Sequence, residues 1–119
     1  MTREEKVAVV DAFFDAMVSG EVESLPLSET FHVETPLLGR TERDAAMGYI
    51  KATSRSTRAI QVQSYIVEGD QVAALSVNET PNGPMKVFAK FVVGDGQLQD
   101  AHVFYDPRLI LGEISHPRS

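Results

Sequence analysis

The most constraining feature of the sequence is a pair of strand-like segments joined by a short turn. Residues Met85–Val93 are rich in β-branched and aromatic side chains, and residues Gln97–Asp106 alternate polar and apolar side chains until Pro107 ends them. The turn Gly94-Asp95-Gly96 between them can supply the positive φ angles of a tight hairpin. Two long strands with an apolar face need a layer that covers it, and the helical patterns of this chain lie in its N-terminal half.

Two segments in that half have helical periodicity. Thr2-Arg3-Glu4-Glu5 has the spacing of a capping box, apolar residues follow at steps of three and four, and a glycine ends the pattern, which predicts a helix over Arg3–Ser19. A second helix is predicted over Thr41–Thr53, with an N-cap-like start at its first residue. Between the two, Glu21–Leu25 precedes a proline and predicts a short extra helix.

Three further segments alternate in the manner of strands. Phe31–Thr35 is short, whereas Ile60–Val67 and Gln71–Thr80 are longer and are each followed by turn residues. In the first of the long segments, strict alternation predicts that Ile66 shares a face with Ile60.

The order of these elements predicts the fold class. A helix, a short helix, a short strand and another helix precede four long strands, which is typical of an α+β domain with its helices on one face of a mostly antiparallel sheet. Such a sheet should curve into a cone-shaped, cystatin-like α+β roll wrapped around the N-terminal helices, with Phe14 and Met17 turned into its concave side. We predict one domain over residues 1–108 and a tail over residues 109–119, in which His116 is exposed.

Length and charge exclude several classes of function. A chain of 119 residues is one domain that can bury a core, and the absence of cysteine excludes disulfides. The net charge of -6 leaves no basic face for nucleic acid, since Lys51, Arg55 and Arg58 fit a helix C-terminus instead. The charged N-terminus is unlike a signal peptide, and no segment reaches the roughly 20 apolar residues of a membrane span. These features predict a cytoplasmic protein with neither nucleic-acid nor membrane partners.

The span Arg3–Arg108 resembles the nuclear transport factor 2-like (NTF2-like) superfamily, in the branch that holds ketosteroid isomerases and SnoaL-like polyketide cyclases. The resemblance is carried by the helix end Phe13–Gly20, by the strand Phe31–Pro36 with Gly39 soon after it, and by the closing segment Gly96–Pro107. It implies a cone-shaped fold, a hydrophobic cavity for a small molecule, and a homodimer formed through the outer face of the sheet. Neither a cofactor nor a metal is predicted.

The positions that match the catalytic groups of these relatives hold residues that cannot shuttle a proton. The general-base aspartate of the isomerases falls on Thr35, and the aspartate of the cyclases falls on Val103. The other matched positions are Phe13, Phe88, Ala89, Ser76 and Asn78. The resemblance therefore implies a protein that keeps the cone of the family and lacks its usual catalytic acids.

Strand alternation within that fold predicts which side chains line the cavity. The predicted lining residues are Val33, Thr35, Ser76, Asn78, Ala101, Val103 and Tyr105 from the strands, with Met17 and Tyr49 from the helices. The set is apolar apart from hydroxyl groups and one amide, and such a surface is suited to orienting an oxygen-bearing small molecule.

Four titratable residues form a second constellation on the opposite face of the sheet: His32, Glu34, Asp100 and His102. These residue types can build an acid–base pair or a metal site, but they lack the spacing typical of a metal motif. Their position favours a polar part of a dimer surface. A bulge of one residue would instead swing Glu34 or Asp100 into the cavity.

Two functions stay open at this point. One is a binding protein for a small hydrophobic or oxygenated molecule, without catalytic activity. The other is an isomerase, cyclase or dehydratase that uses Tyr49, Tyr105, or a register-shifted Glu34 or Asp100.

Overall fold

The structure is a computed structural model that describes residues 1–115, so His116 lies outside the described residues. The described part of the chain forms three helices and six strands. In chain order they are α1 (Arg3–Ser19), β1 (Leu27–Thr35), β2 (Gly39–Glu42), α2 (Arg43–Ser56), β3 (Ala59–Glu68), β4 (Gln71–Thr80), β5 (Gly83–Gly94), β6 (Gln97–Phe104) and α3 (Pro107–Ile110).

The six strands form one open sheet with the order β2-β1-β6-β5-β4-β3. Neighbouring strands are antiparallel except for β1 and β6, which run parallel. Helix α1 contacts α2 and strands β3 to β6, and α2 packs against β1 and β2. The predicted class, a mostly antiparallel α+β roll around the N-terminal helices, is confirmed.

Helix α1 forms as its sequence predicts. The Glu5 amide donates to the Thr2 hydroxyl over 3.1 Å and the Thr2 amide donates to the Glu5 carboxylate over 3.0 Å, which completes the capping box. Gly20 ends the helix with a φ of 88°, a left-handed conformation that glycine adopts without steric penalty. Phe14 and Met17 are buried and face the concave side of the sheet.

The predicted short helix over Glu21–Leu25 is wrong. This segment forms a turn, in which the Leu25 amide donates to the carbonyl of Val22 over 3.3 Å. Five residues before a proline are too few to repay the free energy of helix nucleation, and burial of Val22 in the core holds the turn instead.

The segment between β1 and α2 also differs from its prediction. Residues Gly39–Glu42, predicted as loop and N-cap, form the edge strand β2, in which Thr35 pairs with Gly39 and His32 with Glu42. Helix α2 therefore starts later, at Arg43, and it continues to Ser56. The helix is thus longer at its C-terminus than predicted. In this last part the Ser54 hydroxyl donates to the carbonyl of Met17 over 2.7 Å, which ties the end of α2 to α1.

A bulge in β3 changes which side chains of that strand face the core. Val62 pairs with Ser76 and Ser64 pairs with Leu75, so one extra residue lies between the two pairs. Beyond the bulge Tyr65 packs against the core and Ile66 is 63% exposed. The prediction that Ile66 shares a face with Ile60 is therefore wrong.

The hairpin of β5 and β6 turns as predicted and contains a second bulge. Asp95 and Gly96 have φ angles of 54° and 73°, so the turn has the two positive φ values of a tight hairpin. Val92 pairs with Asp100 and Val93 pairs with Leu98, which leaves one extra residue in β6.

The described part of the tail packs back onto the domain. Leu109 of α3 is 1% exposed, and the Asn82 side-chain amide donates to its carbonyl over 2.8 Å. None of the helices within residues 1–115 is long and apolar enough to cross a membrane.

Candidate functional site

A cavity of about 270 Å³ lies between the concave face of the sheet and helices α1 and α2, with Ile110 of α3 also in its wall. It contains most of the predicted lining residues: Met17, Val33, Tyr49, Asn78, Ala101, Val103 and Tyr105. The wall is mainly apolar and consists of side chains from both helices and from strands β1, β3, β4, β5 and β6.

Two predicted lining residues, Thr35 and Ser76, are buried but do not lie on the wall. The Thr35 hydroxyl accepts hydrogen bonds from the Leu37 and Leu38 amides, at 3.3 and 3.1 Å, and thereby supports the turn into β2. The Ser76 hydroxyl donates to the side-chain oxygen of Asn78 over 2.8 Å. Ser76 therefore contacts a wall residue, Asn78, and Thr35 supports the turn beside the cavity.

Several wall residues were not predicted from the sequence. Met85, Val87, Ala89 and Phe91 alternate along β5, and the parity argument applied to that strand would have found them. Ile110 belongs to the tail, whose position no periodicity encodes.

Three phenylalanines form one aromatic wall of the cavity. Phe13, Phe14 and Phe91 meet edge to face, with ring centroids 5.4 to 5.9 Å apart. This geometry is the preferred one for aromatic rings and fixes the shape of the wall.

Two tyrosine hydroxyls meet at another part of the wall. Tyr49 projects from α2 and Tyr105 follows β6, and their hydroxyl oxygens are 2.9 Å apart. Burial raises the pKa of Tyr49 far above its ordinary value, and the hydrogen bond with Tyr105 raises it further. Hydrogen bonds with the Thr53 and Thr35 hydroxyls oppose that rise. Tyr49 is therefore a neutral hydroxyl at physiological pH.

The wall carries no charged group in the part of the chain that the structure describes. No aspartate, glutamate, histidine, lysine or arginine is among its side chains. Within residues 1–115, no three histidine, cysteine or carboxylate side chains are grouped so that they could hold a metal ion. Asn78 and the tyrosine hydroxyls are the main polar groups available to a bound molecule.

No family model matches this sequence, and no curated protein matches it at a significant level. Solved structures do match. A putative SnoaL-like polyketide cyclase from Jannaschia sp. CCS1 has a TM-score of 0.75 and 18% identity, over 97% of this chain and 94% of that one. An NTF2-like protein of unknown function from Cytophaga hutchinsonii has a TM-score of 0.74 and 17% identity, over 89% and 94%.

A third match is a putative ketosteroid isomerase from Kribbella flavida, with a TM-score of 0.70 and 17% identity over 98% of this chain and 84% of that one. This chain has the NTF2-like fold. At these identities the likeness establishes the fold, and the resemblance predicted from the sequence is confirmed at that level.

The convex face of this NTF2-like sheet carries the second predicted constellation. Glu34 and His102 are cross-strand neighbours, with the histidine Nε2 2.9 Å from a carboxylate oxygen, and His32 is the neighbour of Asp100. The alternative, in which a one-residue bulge swings Glu34 or Asp100 inward, is not observed, because neither residue lies on the cavity wall. The bulge in β6 lies before Asp100, and Leu98 ahead of it is buried.

Large apolar side chains lie beside these charges on the same face of the NTF2-like sheet. Phe88 pairs with Phe104 on one side and with Leu75 on the other, and Ile66 lies close by on β3. All four are exposed, from 41% for Leu75 to 63% for Ile66. We call Ile66, Leu75, Phe88 and Phe104 the convex patch.

Proposed function

We propose that this NTF2-like protein binds a small, neutral, oxygen-bearing organic molecule in the cavity. The observation that carries the proposal is the composition of the wall, which is apolar and aromatic with one amide and the hydroxyls of two tyrosines, Thr53 and Ser56. A water molecule occupies about 30 Å³ of liquid, so the cavity suits a ligand of about ten non-hydrogen atoms. The absence of charge on the described wall favours a neutral ligand, since a buried ion without a partner is costly.

The positions that match the family's catalytic groups also favour binding over catalysis. Thr35, which matches the general base of the isomerases, is occupied with the turn into β2, and Val103 on the wall has no titratable group. We therefore propose a SnoaL-like protein that has the cavity of the family without its usual acids.

The tyrosine pair favours a second candidate function. A putative polyketide cyclase and a putative ketosteroid isomerase share this fold. Tyr49 keeps its proton at neutral pH, so the pair can donate a hydrogen bond to a carbonyl oxygen and stabilise negative charge that develops on it. It cannot act as a general base at that pH. An isomerase, cyclase or dehydratase of this kind would need its base from the substrate or from solvent.

A ligand screen tests both candidates. Neutral ketones, lactones and alcohols of about ten non-hydrogen atoms are screened by thermal shift, with the cavity-filling variant Ala101→Phe as the control. We expect hits with the native protein and none with the variant. Each hit is then incubated with the protein and analysed by mass spectrometry and NMR. An unchanged ligand identifies a binding protein and a converted one an enzyme, whereas a screen without hits contradicts both.

We also propose that the protein is a homodimer through the convex patch. Four large apolar side chains in one exposed area are unusual for a surface that faces only water. Charge supports pairing with a second copy: Lys86 and Lys90 flank the patch on β5, and Glu34 and Asp100 flank it on the side of β1 and β6. A twofold axis through the patch can bring the basic side of each copy to the acidic side of the other.

A further inference from the structure

The side-chain amide of Asn78 is oriented by a hydrogen bond with Ser76. Ser76, two residues earlier on β4, is 1% exposed, and its hydroxyl donates to the Asn78 oxygen over 2.8 Å. This bond uses one lone pair of the oxygen, and none of the hydrogen bonds among the described residues engages the amide N–H groups, so Asn78 can offer them to a ligand at the cavity wall.

The tyrosine pair also offers a hydrogen to the cavity. The two hydroxyl oxygens are 2.9 Å apart, so one hydroxyl donates to the other. A pair with two hydrogens uses one of them in this bond and keeps the second. The Thr53 and Thr35 hydroxyls that contact Tyr49 lower its pKa, which is the effect of donors to the tyrosine oxygen, so they take no hydrogen from the pair and leave the second one for a ligand.

We infer that the cavity selects ligands with two hydrogen-bond-accepting oxygens, one for the Asn78 amide and one for the Tyr49–Tyr105 pair. The chemical class is a compact hydrocarbon body with two ketone, lactone or ether oxygens. This inference rests on the proposed function and adds that the protein donates both hydrogen bonds while the ligand accepts them. Ser76 is then a positioning residue, because it acts on the ligand only through Asn78.

The two donors are placed far enough apart for two oxygens of one ligand. Asn78 is on β4 and Tyr105 follows β6, with β5 between those strands. Neighbouring strands are about 4.8 Å apart, so the backbones at the two sites are separated by about 10 Å. Both side chains reach inward from there. A molecule that can only donate hydrogen bonds leaves both sites unpaired and should be rejected.

Four probes test the inference by calorimetry: a saturated bicyclic diketone, its monoketone, the parent hydrocarbon, and indole, whose polar hydrogen can only be donated. For the native protein we expect each added ketone to improve affinity by about fivefold, the worth of one neutral hydrogen bond. Indole should bind no better than the hydrocarbon.

The Ser76→Ala variant separates positioning from structural support. Without the serine hydroxyl the Asn78 amide can turn over and present its oxygen, so the diketone should lose its advantage over the monoketone and indole should gain affinity. Affinity for the hydrocarbon should stay within about twofold, because the wall is unchanged. Ser76→Thr, which keeps the hydroxyl, should restore the native order of the probes.

A second pair of variants keeps the test decisive if Ser76→Ala does not fold. Asn78→Asp replaces the donor by an acceptor of the same shape, and Tyr49→Phe with Tyr105→Phe removes both hydroxyls. Each should cancel the contribution of one ketone. Equal affinity of the native protein for diketone and hydrocarbon would overturn the inference and leave the proposed function standing. If no probe binds the folded native protein, the proposed function fails as well.

Discussion

The two faces of the sheet differ at neighbouring positions on β5 and β6. On the concave side β5 and β6 present Ala89 and Ala101, and the space above these small residues is part of the cavity. On the convex side the same two strands present Phe88 and Phe104, which are 42% and 47% exposed. Because side chains alternate along a strand, neighbouring residues in sequence serve opposite surfaces. At these positions the small residues leave space for the cavity, and the large residues form part of the convex patch.

The faces also differ in the kind of polar group they hold. The concave wall has neutral hydroxyls and an amide, whereas the convex face has carboxylates and histidines, including the hydrogen-bonded Glu34–His102 pair, in which both side chains are partly exposed. A buried charge without a partner costs several kcal/mol, and a partly exposed pair costs little. We therefore expect that the proposed binding in the cavity and the proposed pairing of two copies can be altered independently.

The largest expected effect is on the convex face. In Phe104→Glu a charge replaces a ring whose centroid lies 4.2 Å from that of His102 and 6.4 Å from that of Phe88. An unpaired charge buried in the interface should weaken the dimer by about 3–5 kcal/mol, while ligand affinity in the cavity stays native. Light scattering at micromolar concentration measures the mass.

Val18→Glu is the matched control for this change. Val18 is 42% exposed on α1, outside the sheet, so the same charge there should leave the dimer intact. A monomeric native protein would refute the dimer. A Phe104→Glu variant that stays dimeric would show that the interface lies on another surface.

The second effect is the reciprocal change on the concave face. Ala101→Phe adds a ring that occupies part of the 270 Å³ cavity and should lower ligand affinity by about a hundredfold, with about 1–3 kcal/mol of destabilisation from overpacking. Ala101→Val adds two methyl groups and should lower affinity less. The dimer mass should be unchanged in both, and a dimer lost with the ligand would show that the faces are coupled.

The assignment of residues to faces could be predicted only where alternation is unbroken. The predicted Gln71–Thr80 matches β4, and the parity that places Ser76 and Asn78 inward agrees with the structure. The bulges in β3 and β6 escaped prediction because their extra residues, Gln63 and Gln99, are polar and break no apolar run.

Short and tertiary features escaped prediction for other reasons. Strand β2 consists of four mostly exposed residues, Gly39–Glu42, and forms because β1 offers an edge to pair with. The contact between the Tyr49 and Tyr105 hydroxyls joins residues 56 positions apart, so it depends on the packing of α2 against the sheet. The periodicity of each element could predict that each tyrosine lines the cavity, but it could not predict that their hydroxyls are in contact.

A smaller effect distinguishes the two faces at neighbouring positions on β4. Asn78→Leu removes the amide from the wall and should weaken a carbonyl-bearing ligand by about 1 kcal/mol, the net value of one neutral hydrogen bond. Val77→Leu, at the adjacent position and on the opposite face, is the matched control and should leave affinity unchanged. Calorimetry on both variants measures the difference, and equal losses would show that the effect comes from strand packing.

The smallest expected effect is that of pH on ligand binding. The titratable groups on the described wall are Tyr49 and Tyr105, so affinity for a neutral ligand should be nearly constant between about pH 5 and pH 8. Calorimetry at several pH values measures this. A sigmoidal dependence that Glu34→Gln or Asp100→Asn removes would show that a carboxylate of the convex face reaches the ligand, and would restore the acid-dependent enzyme as a candidate.

Alkaline pH should lower the free energy of unfolding. Burial raises the pKa of Tyr49 above its ordinary 10.0, so the folded protein keeps a proton that the unfolded chain releases. The stabilisation that comes from this raised pKa is complete below about pH 10 and is lost as the pH rises beyond that value. Tyr49→Phe should make the alkaline loss of stability shallower, as measured by urea unfolding.

Tyr65→Phe is the control for this prediction. It should act in the same direction without changing ligand affinity, because Tyr65 lies outside the cavity and its pKa is raised by burial and by the bond to Asp11. Equal slopes for Tyr49→Phe and the native protein would place the Tyr49 hydroxyl in contact with water, and so would remove the support it gives to a closed, apolar site.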